Sequence, residues 1–476
     1  MTVTSRRISY VLLAALLAAS CGDDGGGGGS GDGDGDVDAS ACPVDALESA
    51  EGPVEITFWH AMGGAEIEAT LVAVTDAYNA SQDRVVVDLV NQQGYLENFT
   101  AFRDSAPEDR PDLLQLPEYR LQAMADSGLV VPAAACVEAA GFDVSALLPR
   151  AVEYYTLEDT FQTMPFNVSG PVLYYNRTMF EAAGLDPDDP PENLEEIREA
   201  SQALVDSGAA TYGIALETGF DSFGGWVTEQ FFAAQGELFA DNDNGRSARA
   251  TEALFNSEFG VETYTFLQDL VTDGLAVNVG ENPDGLDALL KMADANEPAA
   301  MAIYTSAGVS SVLGFLSSGQ VPGLGPDELG VGRLPSGGGV TVGGASLWMV
   351  ADQPDEQLAA TWDFIEYLVS AEAQSQWAAG TGYVPVNTGA LEVAPLSETY
   401  TTDPRFRVAY DQLLEGETTP ATAGPVLGPL AEIRVIVASA VQDILSAGAD
   451  PAEALDAAKA EADILIEDYA NRTGTG

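Results

Sequence analysis

Two prolines six residues apart, Pro165 and Pro171, constrain the middle of this chain more than any other feature. Each lacks an amide N–H and confines the residue before it to extended geometry, so no helix can run through 165–176. Asn167, Ser169 and Gly170 are turn-prone. Val172 to Tyr175 then forms a run rich in β-branched and aromatic residues, which favours a strand. Its own residues allow two readings. It is either a crossing strand between two lobes, with Ser169 at the crossing point, or an ordinary loop entering an edge strand.

At 476 residues the chain exceeds one compact core and predicts two domains or lobes. Its net charge of −57 excludes nucleic acid and anionic membrane surfaces as partners, because both would be repelled. Only Lys291 and Lys459 are lysines, so arginines carry nearly all the positive charge. An anionic ligand would therefore depend on a few specific arginines working against an unfavourable background.

The N-terminus reads as an export signal over 1–21. Arg6 and Arg7 precede an apolar run from Tyr10 to Ala19, too short to span a bilayer. Ala18-Ala-Ser-Cys21 resembles a bacterial lipoprotein processing site, which would make Cys21 a lipidated N-terminus; a simple cleaved signal is the alternative. Residues 22–50 are expected to form a flexible acidic, Gly-rich tether, whose first twenty residues reach roughly 25 Å. The expected location is extracytoplasmic, lipid-anchored to the cell membrane. There Cys42 and Cys136 can pair as a disulfide, with two buried free thiols as the alternative.

Val54 to Phe58 alternates as a strand, and the helix after it carries Ile67, Leu71, Val74 and Tyr78 on one face. Arg84 to Val90 and Asp112 to Leu116 are further strands. This alternation predicts an α/β sheet covered by helices, in which ligands gather beyond the carboxyl ends of strands. His60, Tyr95 and Glu118 hold such positions. Helices are expected near 227–235, 247–257 and 260–273. The apolar run from Ala299 to Tyr304 opens onto Thr305-Ser-Ala-Gly308, where a helix N-terminus would suit an anion.

His60 is the sole histidine. That excludes multi-histidine metal sites and Ser-His-Asp or Cys-His nucleophilic catalysis. No phosphate-binding loop of the nucleotide-hydrolase type appears. No spacing singles out a catalytic carboxylate pair, so the chain is expected to be no enzyme, with no cofactor and no metal.

Five motifs in order carry a family resemblance. They are Phe58-Trp-His-x-Met-x-Gly64, Pro165 to Asn176, Gly343-Gly-Ala-Ser-Leu-Trp348, Thr381-Gly-Tyr-x-Pro385 and Ile433-Arg-Val-Ile-Val437. Across residues 53 to 470 the chain resembles the extracellular solute-binding proteins (family 1) of ABC importers, in particular those that bind glycerol 3-phosphate. The resemblance implies an α/β, two-lobed periplasmic-binding-protein-like fold of type II, its lobes joined by crossing hinge segments around a cleft. Lobe one would comprise 51–166 with about 309–386, and lobe two 167–308 with about 387–476.

The resemblance also implies a ligand set. Tyr95, Ser169 and one or both of Thr305 and Ser306 would offer hydroxyls, Gly344 a backbone N–H, and Glu118 an acceptor for glycerol hydroxyls. Tyr383 and Arg434 would hold the phosphate. Without the resemblance, Glu118 reads as a solvated charge, Arg434 as an ion-pair partner and Tyr95 as a packed turn residue. One departure concerns two tryptophans that the family places three residues apart. Here Phe223 and Trp226 keep that spacing only after a one-residue shift; unshifted, the positions are Ser222 and Gly225. A smaller aromatic leaves room for a larger phosphodiester such as glycerophosphocholine. The implied protein is a monomer that passes its ligand to the transmembrane subunits of an ABC permease. The alternatives are a sugar or oligosaccharide binder of the same kind and, from another class, a secreted hydrolase or adhesin.

Overall fold

The computed structural model describes residues 38–282, 286–319, 324–416 and 418–474. The expected signal peptide, Cys21 and residues 22–37 of the tether lie outside the described residues. Residues 38–50 correct the expectation of a tether to residue 50. The short turns Ala39–Ala41 and Val44–Ser49 are docked, with Leu47 buried against the helix Asp355–Leu368. Cys42 is disulfide-bonded to Cys136 of the helix Ala133–Ala140, closing a separation of 94 residues.

Thirteen strands are described: β1 Val54–His60, β2 Val85–Asn91, β3 Leu113–Pro117, β4 Val130–Val131, β5 Thr156–Leu157, β6 Thr160–Phe161, β7 Met164–Ser169, β8 Pro171–Asn176, β9 Tyr212–Glu217, β10 Ala276–Gly280, β11 Ala299–Thr305, β12 Leu329–Arg333 and β13 Gly343–Val350. They build two main sheets and a β5–β6 hairpin. The first sheet runs β2-β1-β3-β13-β4, with β7 also on β13; the second runs β10-β9-β11-β8-β12. β1 is parallel to β2 and β3, while β13 pairs antiparallel with β3, β4 and β7. In the second sheet β9 is parallel to β10 and β11, and β8 is antiparallel to β11 and β12.

Sequence patterns explain the elements. The helix Ala65–Ser81 buries Leu71, Val74 and Tyr78, and Ile67 packs at the margin of the same face. The helix Leu194–Ser207 begins where the Asn193 side chain accepts from the Glu196 N–H and stops at left-handed Gly208. β7 and β8 are buried along their whole length, as strands covered on both faces must be.

The proline-bounded segment is an inter-sheet crossing. β7 ends at Ser169 in the first sheet, Gly170 intervenes, and β8 enters the second sheet. The boundary expected between 166 and 167 therefore moves to Gly170. The boundary near 309 also shifts. The helix Val309–Ser317 packs on first-sheet helices, but β12 returns to the second sheet before β13 rejoins the first. Local composition carries no mark of these returns, because either sheet accepts a short apolar strand.

The helix expected at 247–257 is absent. That stretch is held extended by an Ala240–Ala253 bridge and by the Asp241 carboxylate, which accepts from the Thr251 and Glu252 N–H groups. Tertiary contacts there override a weak helical pattern, and a helix begins only at Glu258.

Candidate functional site

A cavity of about 160 Å³ opens where the ends of the two sheets meet. From the first sheet, Glu118 follows β3 directly, Ser169 ends β7 and Gly344 lies in β13. Tyr95 begins the helix Tyr95–Asp104, just past β2. From the second sheet come Thr305 at the end of β11, Asp221 in the loop after β9, and Trp226 at the start of the helix Trp226–Gln235.

Gly344 has φ +99°, and a Cβ there would collide with the Asn167 carbonyl. Only glycine allows β13 to pass that close to β7 beside the cavity. Gly343 plays a related part, because a Cβ on it would strike the Trp226 indole ring. First-sheet backbone and second-sheet aromatic are thus in direct contact.

The tyrosines are held from behind. Asn167 donates to the Tyr95 hydroxyl at 3.0 Å and accepts from Gln115 at 2.8 Å. Tyr383 is stacked on Trp377 at 5.4 Å, and Trp377 on Phe166 at 5.0 Å, so a three-ring column fixes its direction. Burial raises both phenols, so each remains a protonated hydroxyl able to donate.

Arg434 lies on the helix Leu430–Gln442 and is 1% exposed. It does not wait as a free cation. Its Nε donates to Glu229 Oε1 at 2.7 Å and its Nη2 to Glu229 Oε2 at 2.7 Å, a bidentate pair. Nη2 also donates to Glu118 Oε1 at 2.8 Å. The guanidinium lies over the Tyr119 ring at 4.7 Å and the Phe220 ring at 5.5 Å. Burial disfavours the arginine's charge, but Glu229 and Glu118 outweigh that and hold it fully protonated.

One guanidinium cannot neutralise two carboxylates. Burial lifts Glu118 to about 7 even though Arg434 pulls the other way. Asp221 keeps its carboxylate open to cleft water, yet the walls around it raise its pKa to about 6. With all three carboxylates ionised, the cluster around Arg434 carries a net charge of −2.

The sequence-derived residues are not all assembled here. Tyr95, Glu118, Ser169, Trp226, Thr305, Gly344 and Tyr383 line the cavity. Phe223 does not: it is 2% exposed and stacks on Phe231 in the core. The one-residue shift thus brings Trp226 to the wall and sends Phe223 behind it. Ser306 is also set back, its N–H donating to the Gly170 carbonyl and its hydroxyl accepting from the Gly170 N–H. It ties the crossing, while Thr305 faces the cavity. Arg434 does not line the cavity: it touches the wall through Glu118, and its other partner, Glu229, is buried behind that wall.

Tyr119, Asp221 and Glu229 were missed by sequence reasoning. In a chain with 75 acidic residues, two more aspartates or glutamates carry no signal. Beyond Tyr119 and Asp221 the cavity continues into an open basin of about 750 Å³, bordered by Glu97, Phe220, Glu432 and Val435.

Residues 73–408 match the model of the bacterial extracellular solute-binding proteins. The chain belongs to that family. It is an extracellular solute-binding protein of an ABC importer, a class that binds small molecules and hands them to permease subunits. This binding protein is 31% identical over 423 residues to the sn-glycerol-3-phosphate-binding periplasmic protein UgpB of Rhizobium meliloti, covering 86% of this chain and 93% of that one. Its fold is similar to that of UgpB from Mycobacterium tuberculosis, solved with glycerophosphocholine, at a TM-score of 0.72 and 21% identity, covering 88% and 99% of the two chains. The GacH receptor of Streptomyces glaucescens GLA.O, solved unliganded and with acarbose, superposes at 0.70 with 20% identity over 88% and 100%. These likenesses establish the two-lobed α/β architecture of periplasmic binding proteins.

Proposed function

We propose that this protein captures a glycerophosphate-type ligand in the cleft, a glycerophosphodiester such as glycerophosphocholine in preference to glycerol 3-phosphate, and delivers it to its permease. The observation that carries the reading is the pairing of hydroxyl donors with surplus carboxylate. Tyr95, Tyr383 and Ser169 offer O–H groups to a phosphodiester, Gly344 a backbone N–H, and Arg434 a neighbouring positive charge. Glu118 suits glycerol hydroxyls. Asp221, Tyr119, Phe220 and Trp226 supply the acidic and aromatic surroundings that a quaternary ammonium prefers. A zwitterion matches this mixture, whereas a dianionic monoester meets net negative charge. The likeness to UgpB proteins supports the glycerophosphate class. In this reading the protein acts as a monomer, tethered to the membrane through a lipid on Cys21.

One observation favours a second reading. Arg434 is already satisfied by carboxylates, so its burial does not by itself require an anionic ligand. Carboxylates and aromatic faces also suit a neutral sugar, and GacH was solved with acarbose. Calorimetric titration with glycerophosphocholine, glycerol 3-phosphate and maltose separates the two. Glycerophosphocholine is expected to bind and maltose not to. Binding of maltose alone assigns the cleft to sugars.

A further inference from the structure

Glu229 takes the part of Arg434 that an arginine normally offers to phosphate. Nε and Nη2 form the fork that matches two oxygens at once, and both donate to the Glu229 carboxylate at 2.7 Å. Nη2 is further shared with Glu118, and Nη1 donates to neither carboxylate. Glu229 is 2% exposed, on the helix that starts with Trp226, so protein rather than water surrounds the pair.

We infer that Glu229 is a specificity-determining residue: by closing the arginine fork and cancelling its charge, it sets the cleft against dianionic phosphate monoesters. A ligand phosphate in the cleft is denied that fork and meets Glu118 and Asp221 without the full compensation of a free guanidinium. A phosphodiester whose charge is balanced within the ligand tolerates that. A monoester bearing two charges would have to displace Glu229 or face the surplus carboxylates uncompensated, and like charges brought together oppose binding. Discrimination here works by repulsion as much as by attraction. Glu229 acts through Arg434, and its effect is read in the ratio of two affinities, which general damage to the site would not change selectively.

The inference rests on the glycerophosphate reading of the cleft. The experiment uses the full chain at about pH 8, where a phosphate monoester is a dianion. Glycerophosphocholine, glycerophosphoglycerol and glycerol 3-phosphate, of net charge 0, −1 and −2, are titrated into wild type, Glu229→Gln and Glu229→Asp, with maltose alongside. In wild type, affinity is expected to fall along the charge series, glycerol 3-phosphate binding at least about tenfold more weakly than glycerophosphocholine. Glu229→Gln should improve glycerol 3-phosphate about tenfold relative to glycerophosphocholine, and Glu229→Asp, which keeps the charge, should restore discrimination. An unchanged ratio in Glu229→Gln overturns the inference. If Glu229→Gln does not fold, the wild-type series still decides, since equal binding of the three phosphates overturns it. If no phosphate binds wild type and maltose does, the ligand class itself is wrong and the role of Glu229 falls with it.

Discussion

Two arginines, the half-buried Arg246 and the fully buried Arg434, show opposite ways of holding a guanidinium within a protein. Among the described residues Arg246 forms no ion pair with a carboxylate. It donates to the backbone carbonyls of Gly424, Ala423 and Tyr154 and lies 4.9 Å over the Tyr154 ring. Burial pulls its pKa down. Arg434 sits among carboxylates that push its pKa up. Backbone carbonyls cannot be exchanged for a ligand without unfolding the segments that own them. Carboxylate side chains on separate elements can re-partner when a solute enters. The first arrangement clamps three stretches of chain, whereas the second places an adjustable charge at a cleft.

The largest expected effect comes from deleting the adjustable charge. Arg434→Ala leaves Glu118 and Glu229 buried without compensation, and removing one partner of such a pair costs about 3–5 kcal/mol. Urea unfolding should register that loss. Calorimetry should register a fall of about a hundredfold or more in affinity for whichever solute the cleft binds. Unaltered affinity would mean that Arg434 is no closer to function than Arg246.

Arg246→Met tests the other side. Three carbonyls lose a charged donor, with an expected cost of about 2–4 kcal/mol in urea midpoint analysis. The relative affinities for the charge series should stay as in wild type. A changed ranking would erase the distinction between clamp and cleft.

A smaller effect tests whether the carboxylates around Arg434 are over-supplied. Glu118 titrates near 7 in the folded protein, against about 4.5 for an ordinary glutamate. Between those values the folded state holds more protons than the unfolded state, so this group makes stability fall as pH rises through the window. His60, whose burial lowers its pKa to about 4, acts in the opposite sense between about 4 and 6.5. Comparing wild type with Glu118→Gln removes that background. The stability difference between pH 5 and pH 8 should shift by on the order of 1 kcal/mol in the variant. No shift would mean that Arg434 satisfies Glu118 fully.

Much of the first-sheet wall was legible. Tyr95, Glu118 and Ser169 sit at strand ends or the turns that follow them, and short-range patterns mark such places. The prolines at 165 and 171 excluded a helix, and a buried strand pair stands there. The second-sheet wall was harder to read. Phe223 and Trp226 are three residues apart near a helix start, and local pattern cannot tell which of them turns inward. The return of β12 to the second sheet was likewise hidden, because its residues suit either sheet.

The sequence by itself determined the α/β alternation, the exclusion of a helix from Pro165 to Asn176 and the need for particular arginines in so acidic a chain. Those follow from backbone chemistry and total charge, which are local or additive. Only the tertiary structure decided that Arg434 is held by Glu229 and Glu118, 205 and 316 residues distant along the chain. Pairing across such separations depends on how helices from different parts of the chain are set against each other, and one glutamate among 75 acidic residues carries no mark of it.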